Sequence, residues 1–550
     1  MERFPSSHGR RVASAALAVA LALGAGAVAQ PAAAAAPVAP AASAVQQALG
    51  VGSFHLADIS ARDGVVLKAD VFTPAPGTPG ADPQGRYPLV VQPASWGQND
   101  LEYVAQGRAF AAAGYVVVTY TVRGFWGSGG EVDVAGPKDV ADISTVIDWA
   151  LAHTPADPQR VGMVGLSLGG GLTLLGAAFD PRIKAVASLS GWADLTDSLY
   201  SGQTRHLQAA TVLAGIQAPT GRRSAEFGRV LDDLFADRDL PEVVRWADVR
   251  SPARYLDRIN ANGTAVLLAN AWGDSFFNPG QVTAFYDRLT GPKRLELRPG
   301  DHASQEFTGL LGLVNPAWGS ARSWFDQYLK GAPGDGRPAV DLTVRPAGTH
   351  ESHPDWSSVS SRTAHLALGA DSLGETGPAA GPGDWRTTVL GDLPSGASGG
   401  IALLSGLVDQ TTHQSPTVVV PLLARSAAVV RQSAPYPQGL ALRGAARLHT
   451  TVTATSPQGT VVAYLYDVNA LGLGRLISHA PQSWSGQPAG QPFPLDVTLF
   501  ATAYDLPAGH RLALVLGTRD PLYGGLTPSG STVTFGSTAA DPSDLALPVR

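Results

Sequence analysis

From about residue 53 to residue 330 the chain alternates short, continuously apolar stretches with longer helical ones. Apolar runs of strand length lie at 87–92, 115–122, 160–167, 183–190, 265–271 and 294–297. Helical candidates sit between them at 101–113, 138–153, 168–179, 279–289 and 316–329. Strands without in–out alternation are buried on both faces, and parallel strands need a long crossover, usually a helix. The rhythm therefore demands a parallel sheet covered on both sides. Strand-like runs at 54–60 and 65–72 flank Asp63-Gly64, a hairpin turn signal, and add an antiparallel start. Residues 197–260 interrupt the rhythm with amphipathic helices and are too many for a connection, so they read as an inserted cap.

After Gly331-Ala332-Pro333-Gly334 the helical periodicity fades. Short alternating runs follow at 440–446, 448–455, 460–468 and 510–516, separated by Gly, Pro and Ser clusters. That pattern predicts an antiparallel sandwich or jelly roll over 335–550, after a parallel-sheet domain over 50–333. Gly (63) and Pro (42) are abundant and charged residues make up only 15%, against a usual value of about 25%, which excludes a coiled coil or long bundle. No fixed-period repeat is visible, which argues against solenoids and propellers.

At the amino terminus, Arg10 and Arg11 precede an Ala/Leu/Val/Gly run over 12–28, and Ala27-Val28-Ala29 supplies an A-x-A cleavage pattern. Residues 1–44 thus read as a secretory signal peptide and an Ala/Pro-rich leader. A membrane anchor is the competing reading, because about 17 apolar residues sit at the bottom of the spanning range. The arginine pair hints at twin-arginine export, although the residues after the pair match that signal poorly. The expectation is a secreted protein, extracellular or associated with the cell envelope, with no stable membrane insertion once the signal is removed. With a net charge of −6 and no basic run, nucleic acid is a poor partner. Cysteine is absent, which excludes disulfides, thiolate metal sites and a cysteine nucleophile.

Gly165-Leu166-Ser167-Leu168-Gly169 matches G-x-S-x-G, a pattern that a Gly-rich chain also meets by chance; a second match is Gly396-Ala397-Ser398-Gly399-Gly400. Context separates them. Ser167 ends an apolar strand and opens a small-residue helix, the strand–turn–helix of a nucleophile elbow. Ser398 lies in a Gly-rich loop. A serine hydroxyl needs a general base oriented by a third group, and on this type of sheet the order is Ser, acid, His. Between Ser167 and the composition break there are two histidines, His206 in the cap and His302 just after a strand. The second is the expected base. Asp274 ends the preceding strand, 28 residues before His302, and is preferred to its neighbour Asp301, which can hardly fold back onto the imidazole. The Leu168 N–H is one oxyanion donor by construction of the elbow. The second is expected from the loop Pro93-Ala94-Ser95-Trp96-Gly97.

Together these residues resemble the X-Pro dipeptidyl-peptidase and cocaine-esterase-like serine hydrolases. The stretches that carry the likeness are Val122 to Gly130 (VRGFWGSGG), Gly165 to Gly169, Ala271 to Asp274 and Arg298-Pro299-Gly300-Asp301-His302. Downstream, Tyr464-Leu465-Tyr466-Asp467-Val468 and Leu506 to Leu512 resemble the family's carboxy-terminal jelly-roll domain. The resemblance implies an α/β-hydrolase fold with a helical cap, a carboxy-terminal jelly-roll sandwich, no cofactor, and a triad of Ser167, Asp274 and His302. It also marks departures. Thr121 stands where the family has Asp, Leu168 where Tyr commonly follows the nucleophile, and Ser95-Trp96 where a Tyr hydroxyl often serves the oxyanion. Trp96 could substitute through its indole N–H, with Ser95 as the alternative.

The expected protein is a serine hydrolase forming an acyl-enzyme on Ser167 and acting on a small-molecule or peptide substrate. A dipeptidyl-peptidase must hold a free amine, and the cap acids Glu226, Asp232 and Asp233 are candidates; a carboxylesterase needs no such acid. A reading from another class makes the chain an inactive polymer- or glycan-binding protein, with Trp356 and Trp484 as sugar contacts. Arg123 and His510 are expected to be structural, and His350 and His353 lack the pattern of a metal site.

Overall fold

The computed structural model describes residues 52–375 and 384–550; the leader expected at 1–44 lies outside them. A hairpin of β1 (Ser53–Ser60) and β2 (Val66–Thr73) opens the first sheet. It continues with β3 (Tyr87–Pro93), β4 (Val116–Tyr120), β5 (Ala156–Leu166), β6 (Ile183–Leu189), β7 (Ala265–Ala271) and β8 (Lys293–Arg298). Spatial order is β1-β2-β4-β3-β5-β6-β7-β8, with parallel pairing from β4 onward. This is the α/β-hydrolase sheet.

Helices α1 (Val104–Ala112), α2 (Pro137–His153) and α3 (Leu168–Phe179) return the chain between the early strands. The cap between β6 and β7 is built from α4 (Leu195–Tyr200), α5 (Leu207–Thr220), α6 (Ala225–Ala236), α7 (Leu240–Val249) and α8 (Leu256–Asn262). Then come α9 (Pro279–Arg288), the single turn α10 (Phe307–Leu310) and α11 (Pro316–Lys330). Every residue of β3, β4 and β7 is buried, which is why these strands read as unbroken apolar runs. Val91 and Val118 pack into one core with Leu172 and Leu175 of α3. Their neighbours Val90 and Val117 face the opposite core, with Phe110 of α1 and Phe325 of α11. A period of two along the strand feeds two helical layers at once.

Beyond the Gly331–Gly334 break the same sheet goes on. Strand β9 (Val340–Val344) pairs parallel with β8, and β10 (Thr349–His353) pairs antiparallel with β9. Without them β8 would present an open edge. The Trp272 indole after β7 donates to Thr343 O at 2.8 Å, fastening the addition.

The remaining chain forms two curled antiparallel sheets, one built around Arg447–Ala454 and the other around Gly459–Val468. Arg447–Ala454 alternates in burial, with one face on a shared core that includes Leu448, Val452, Val461 and Leu465. Gly459–Val468 is buried throughout, because Val462, Tyr464 and Tyr466 on its other face are covered by a further cluster with Val420 and Leu423. One segment of this sandwich, 396–412 with α12 (Ser405–Thr412), reaches the hydrolase domain, where Ala402 and Leu403 join the core of the first sheet. A chain ending after residue 333 loses β9, β10 and that segment; it is expected to aggregate or to lose its cooperative melt by circular dichroism, whereas residues 52–550 melt cooperatively.

Candidate active site

The elbow is dictated by crowding. Strand β5 must turn into α3 within one residue, and Ser167 does so at φ 59° and ψ −117°, a left-handed conformation that costs a non-glycine residue about 1–3 kcal/mol. A Cβ on Gly165 would stand 2.3 Å from the Gly169 carbonyl carbon, and one on Gly169 would stand 2.2 Å from Pro93 O. Only glycine fits at both positions, which is the physical content of the motif. The strained turn is held from below. Tyr103 OH accepts from Leu166 N at 3.0 Å, and Ser95 Oγ donates to Leu166 O at 2.9 Å.

Three loops at the carboxyl ends of β5, β7 and β8 bring Ser167, Asp274 and His302 together. Ser167 Oγ lies 2.8 Å from His302 Nε2, and His302 Nδ1 lies 3.2 and 3.1 Å from the two carboxylate oxygens of Asp274. Asp274 Oδ1 also accepts from Phe276 N and Phe277 N at 3.0 and 2.8 Å, which fixes the carboxylate plane. A carboxylate can only accept, so Nδ1 carries the ring proton and Nε2 is left to take one from Ser167. Phe276 and Phe277 enclose the imidazole, with ring centroids 4.7 and 4.9 Å from it. Burial pulls the His302 pKa down, but the charge and hydrogen bond of Asp274, with the charges of Asp301 and Glu306, outweigh it. The net position is above the ordinary 6.5.

Two further buried carboxyl groups support this arrangement. Asp301 Oδ1 accepts from Ser275 N, Ser275 Oγ and His302 N at 2.9, 2.7 and 2.8 Å, and its Oδ2 accepts from Gly406 N at 3.1 Å. It binds the backbone of the histidine loop, while the imidazole goes to Asp274. Burial pushes its pKa up to about 6. Glu306 takes the Ser190 hydroxyl at 3.1 and 3.2 Å, and burial pushes it up to about 7. No local motif flags Glu306, Ser190 or Tyr103; each acts across a large sequence separation.

The oxyanion loop departs from expectation. The Trp96 indole N–H donates to Leu213 O in the cap at 2.9 Å, and the Ser95 hydroxyl is committed to Leu166 O. Neither side chain expected to supply the second oxyanion donor presents a free one. Ser95 N is also spent, on the buried Glu102 carboxylate at 2.8 Å. Among the described residues the main-chain N–H of Trp96 has no acceptor within the protein, and neither has that of Leu168.

Two cavities meet at Ser167. One lies under the cap, about 100 Å³ in volume, with walls from α4 to α7 together with Leu168, Trp192 and Phe277. The other is a more open groove of about 130 Å³, lined by Ser95, Phe276, His302, Ala303 and, from the sandwich, Leu403. Neither Glu226, Asp232 nor Asp233 lines either cavity.

Comparison with known proteins agrees with this architecture. Residues 63–304 match the family model described as X-Pro dipeptidyl-peptidase (S15 family), and residues 335–543 match its companion, the X-Pro dipeptidyl-peptidase C-terminal non-catalytic domain. The chain belongs to the X-Pro dipeptidyl-peptidase (S15) family. An uncharacterized 31.7 kDa protein of Escherichia coli is 34% identical over 208 residues, covering 34% of this chain and 72% of that protein. Among solved structures, an aminopeptidase from a marine sediment archaeon (Thaumarchaeota) superposes with TM-score 0.70 at 16% identity, covering 95% of this chain and 99% of that one. A CocE/NonD family hydrolase from Staphylococcus aureus superposes with TM-score 0.68 at 14% identity, covering 90% and 94%. At these identities the two structures testify to the fold alone.

The other residues singled out in the sequence of this S15 family member lie elsewhere. His206 is buried against Tyr523 and Phe500, bonds Ser201 Oγ at 2.8 Å, and is pushed down to about 3 by burial and by His479. Ser398 shapes its own loop through Gly400 N at 3.0 Å. Arg123 is an anchor with Asp142 and Asp63 at 2.7 and 2.8 Å, and His510 bonds Asp467 at 2.6 Å. His353 turns to Glu351 at 3.3 Å, while His350 stands 3.9 Å from Asp341. Trp484 is 5% exposed inside the sandwich core, and Trp356 is half-buried on the hydrolase core, so the sugar contacts suggested for them are not available at Trp484.

A neutral His302 is the form that can take a proton, so reaction at Ser167 should rise with pH along a limb centred above 6.5. In Glu306→Gln that limb should move to lower pH, because a charge that favours the imidazolium is gone. Glu306 is raised in the folded state, so the stability of its protonated form is present below about pH 4.5 and is lost as pH rises through about 7. The melting temperature of Glu306→Gln relative to wild type should accordingly rise from pH 5 to pH 8. A limb and a melting difference that do not move with this substitution would count against Glu306 as a partner of the imidazole.

Proposed function

We propose that the protein is an exported serine hydrolase that cleaves acyl esters through an acyl-enzyme on Ser167. The observation that carries this reading is the hydrogen-bonded line from Ser167 Oγ through His302 to Asp274, set on the strained elbow. His302 Nε2 takes the Ser167 proton as Oγ attacks the carbonyl carbon of the substrate. Asp274 holds the tautomer and stabilises the imidazolium. The main-chain N–H groups of Leu168 and Trp96 receive the oxyanion, a geometry worth a few kcal/mol per donor in such sites. His302 then protonates the leaving group, and water releases the acid by the same steps in reverse. Export rests on the charged, apolar and small-residue pattern of residues 1–44.

Ester cleavage is favoured over dipeptidyl release by the pocket chemistry. A dipeptidyl-peptidase must hold an ammonium group away from water, and an unpaired buried charge is costly. Among the described residues no Asp or Glu lines the cavity under the cap, and Glu102, which lines the open groove, accepts from Ser95 N at 2.8 Å. Glu226 is instead exposed beside Arg250 at 3.7 Å, and Asp233 pairs with Arg238 at 3.1 Å.

A fluorophosphonate probe should label the wild-type protein, and Ser167→Ala should abolish labelling while keeping the melting temperature within a few degrees. In parallel assays a short acyl p-nitrophenyl ester should be hydrolysed and an X-Pro anilide should not. Labelling that persists in Ser167→Ala would refute the nucleophile, and turnover of the anilide alone would restore the peptidase reading.

A further inference from the structure

The two cavities that meet at Ser167 divide an ester by chemistry. His302 must hand its proton to the departing alcohol, so that half of the substrate occupies the open groove that His302 lines. Most of the groove wall is apolar: Leu213 and Ile216 from the cap, Phe276 from the acid loop, Phe307 and Leu310 from the segment after His302, and Leu403 from the sandwich. Among the described residues its one carboxyl group is that of Glu102, and no Lys or Arg lines it. Glu102 accepts from Ser95 N at 2.8 Å, and burial pushes it up to about 7. The volume, about 130 Å³, is slightly below the roughly 150 Å³ cavity that holds benzene, so about six non-hydrogen atoms fill it.

The apolar wall continues out of the groove onto the surface. Phe307 and Leu310 belong to a tight turn closed by Leu313 N on Thr308 O at 3.1 Å and by Gly312 N on Gly309 O at 2.9 Å. The apolar side chains that follow are left in water: Leu311 is 62% exposed, Leu313 59% and Val314 101%. The turn rests on α1, where Gln106 Nε2 donates to Gly309 O at 2.6 Å and a Cβ on Gly312 would stand 3.4 Å from Ala105 Cβ. Leu101, one turn before Ala105 and next to Glu102, is exposed as well. Residues 307–321 include no charged residue. Single exposed apolar side chains are ordinary, but four in one neighbourhood at the rim of a reactive groove mark a contact surface for apolar matter. A protein held there permanently would obstruct the groove, so the occupant is one that comes and goes with turnover, the substrate.

We propose that the open groove and this rim select esters of long-chain, uncharged alcohols, the first carbons of the alcohol filling the groove and the rest lying over Leu311, Leu313, Val314 and Leu101. The inference rests on the acyl-enzyme reading above and adds the alcohol half of the substrate to it. Ser167 Oγ bonds to the acyl carbon, the bond from that carbon to the alcohol oxygen breaks, and the oxygen leaves with the proton from His302 Nε2. Each methylene taken out of water favours binding by up to about fourfold, fully within the groove and in part on the rim. A cationic alcohol is disfavoured, because the one carboxyl of the groove is engaged with Ser95 N and burial favours its neutral form.

The test compares kcat/KM of the full chain for ethyl, butyl, hexyl and octyl acetate, each kept below its solubility limit, followed by acid release and divided by its rate of alkaline hydrolysis. Octyl acetate should exceed ethyl acetate by about tenfold or more. In the triple variant Leu311→Ser, Leu313→Ser, Val314→Ser the octyl-to-butyl ratio should fall toward one while the butyl-to-ethyl ratio persists. In Leu310→Ala the butyl-to-ethyl ratio should fall instead. A flat series in wild type would overturn the proposal, and so would an octyl-to-butyl ratio that the triple variant leaves unmoved. Acetylcholine preferred to neohexyl acetate, its uncharged isostere, would overturn it too and make Glu102 a cation holder. The wild-type series decides if a variant fails to fold. Fluorophosphonate labelling of Ser167 in the same sample separates the two failures: a labelled enzyme with a flat series refutes the alcohol site, and an unlabelled one refutes the hydrolase reading itself.

Discussion

A single buried carboxylate, Asp301, ties together the parts on which this site depends. It is 1% exposed and accepts four hydrogen bonds: two from Ser275 beside the acid Asp274, one from His302 N, and one from Gly406 N in the sandwich. A buried charge is tolerated only when its acceptor capacity is filled, and removing it would strand every donor at once. The acid loop, the histidine loop and the second domain therefore have one mutually consistent arrangement. His302 and Asp274 keep their spacing because their backbones answer to the same group.

The sandwich is thus part of the site's construction, although its family model is called non-catalytic. Its first strands are not in the sandwich at all: β9 and β10 complete the hydrolase sheet. Arg345, just after β9, then bonds through N and O to Ala503 and Asp505, which stitches that edge to the all-β half. Leu403 N donates to Ser275 Oγ at 3.0 Å, and the Leu403 side chain lines the groove beside His302. The two halves share a core as well as a surface.

The cap is joined to the catalytic loops by aromatic contact. Trp96 meets Phe125 edge-on at 5.0 Å and Phe227 at 5.8 Å, and Phe227 stacks on Trp246. With the Trp96 indole bonded to Leu213 O, this large side chain works as a pillar between the oxyanion loop and the cap. At this position, where the family resemblance implies a tyrosine hydroxyl, Trp96 instead gives the cavity under the cap a rigid, apolar wall, and its main-chain N–H has no acceptor among the described residues.

Much of this was legible from local pattern. The unbroken apolar strands, the order Ser167, Asp274, His302, and the small residues around the elbow follow from rules that act within a few residues: a strand buried on both faces cannot alternate, and a one-residue turn between strand and helix leaves no room for Cβ at Gly165 or Gly169. The sequence by itself determined the sheet, the cap's position and the three groups aligned for proton transfer. Only the tertiary structure decided which donors were already spent, that Asp301 braces while Asp274 orients, that no acid among the described residues lines the cavity under the cap, and that the strands after Gly334 belong to the first sheet. Trp96 and Leu213 are 117 residues apart, and Asp301 and Gly406 are 105. A hydrogen bond across such distances is set by how whole layers pack, and residue type and spacing carry no record of it.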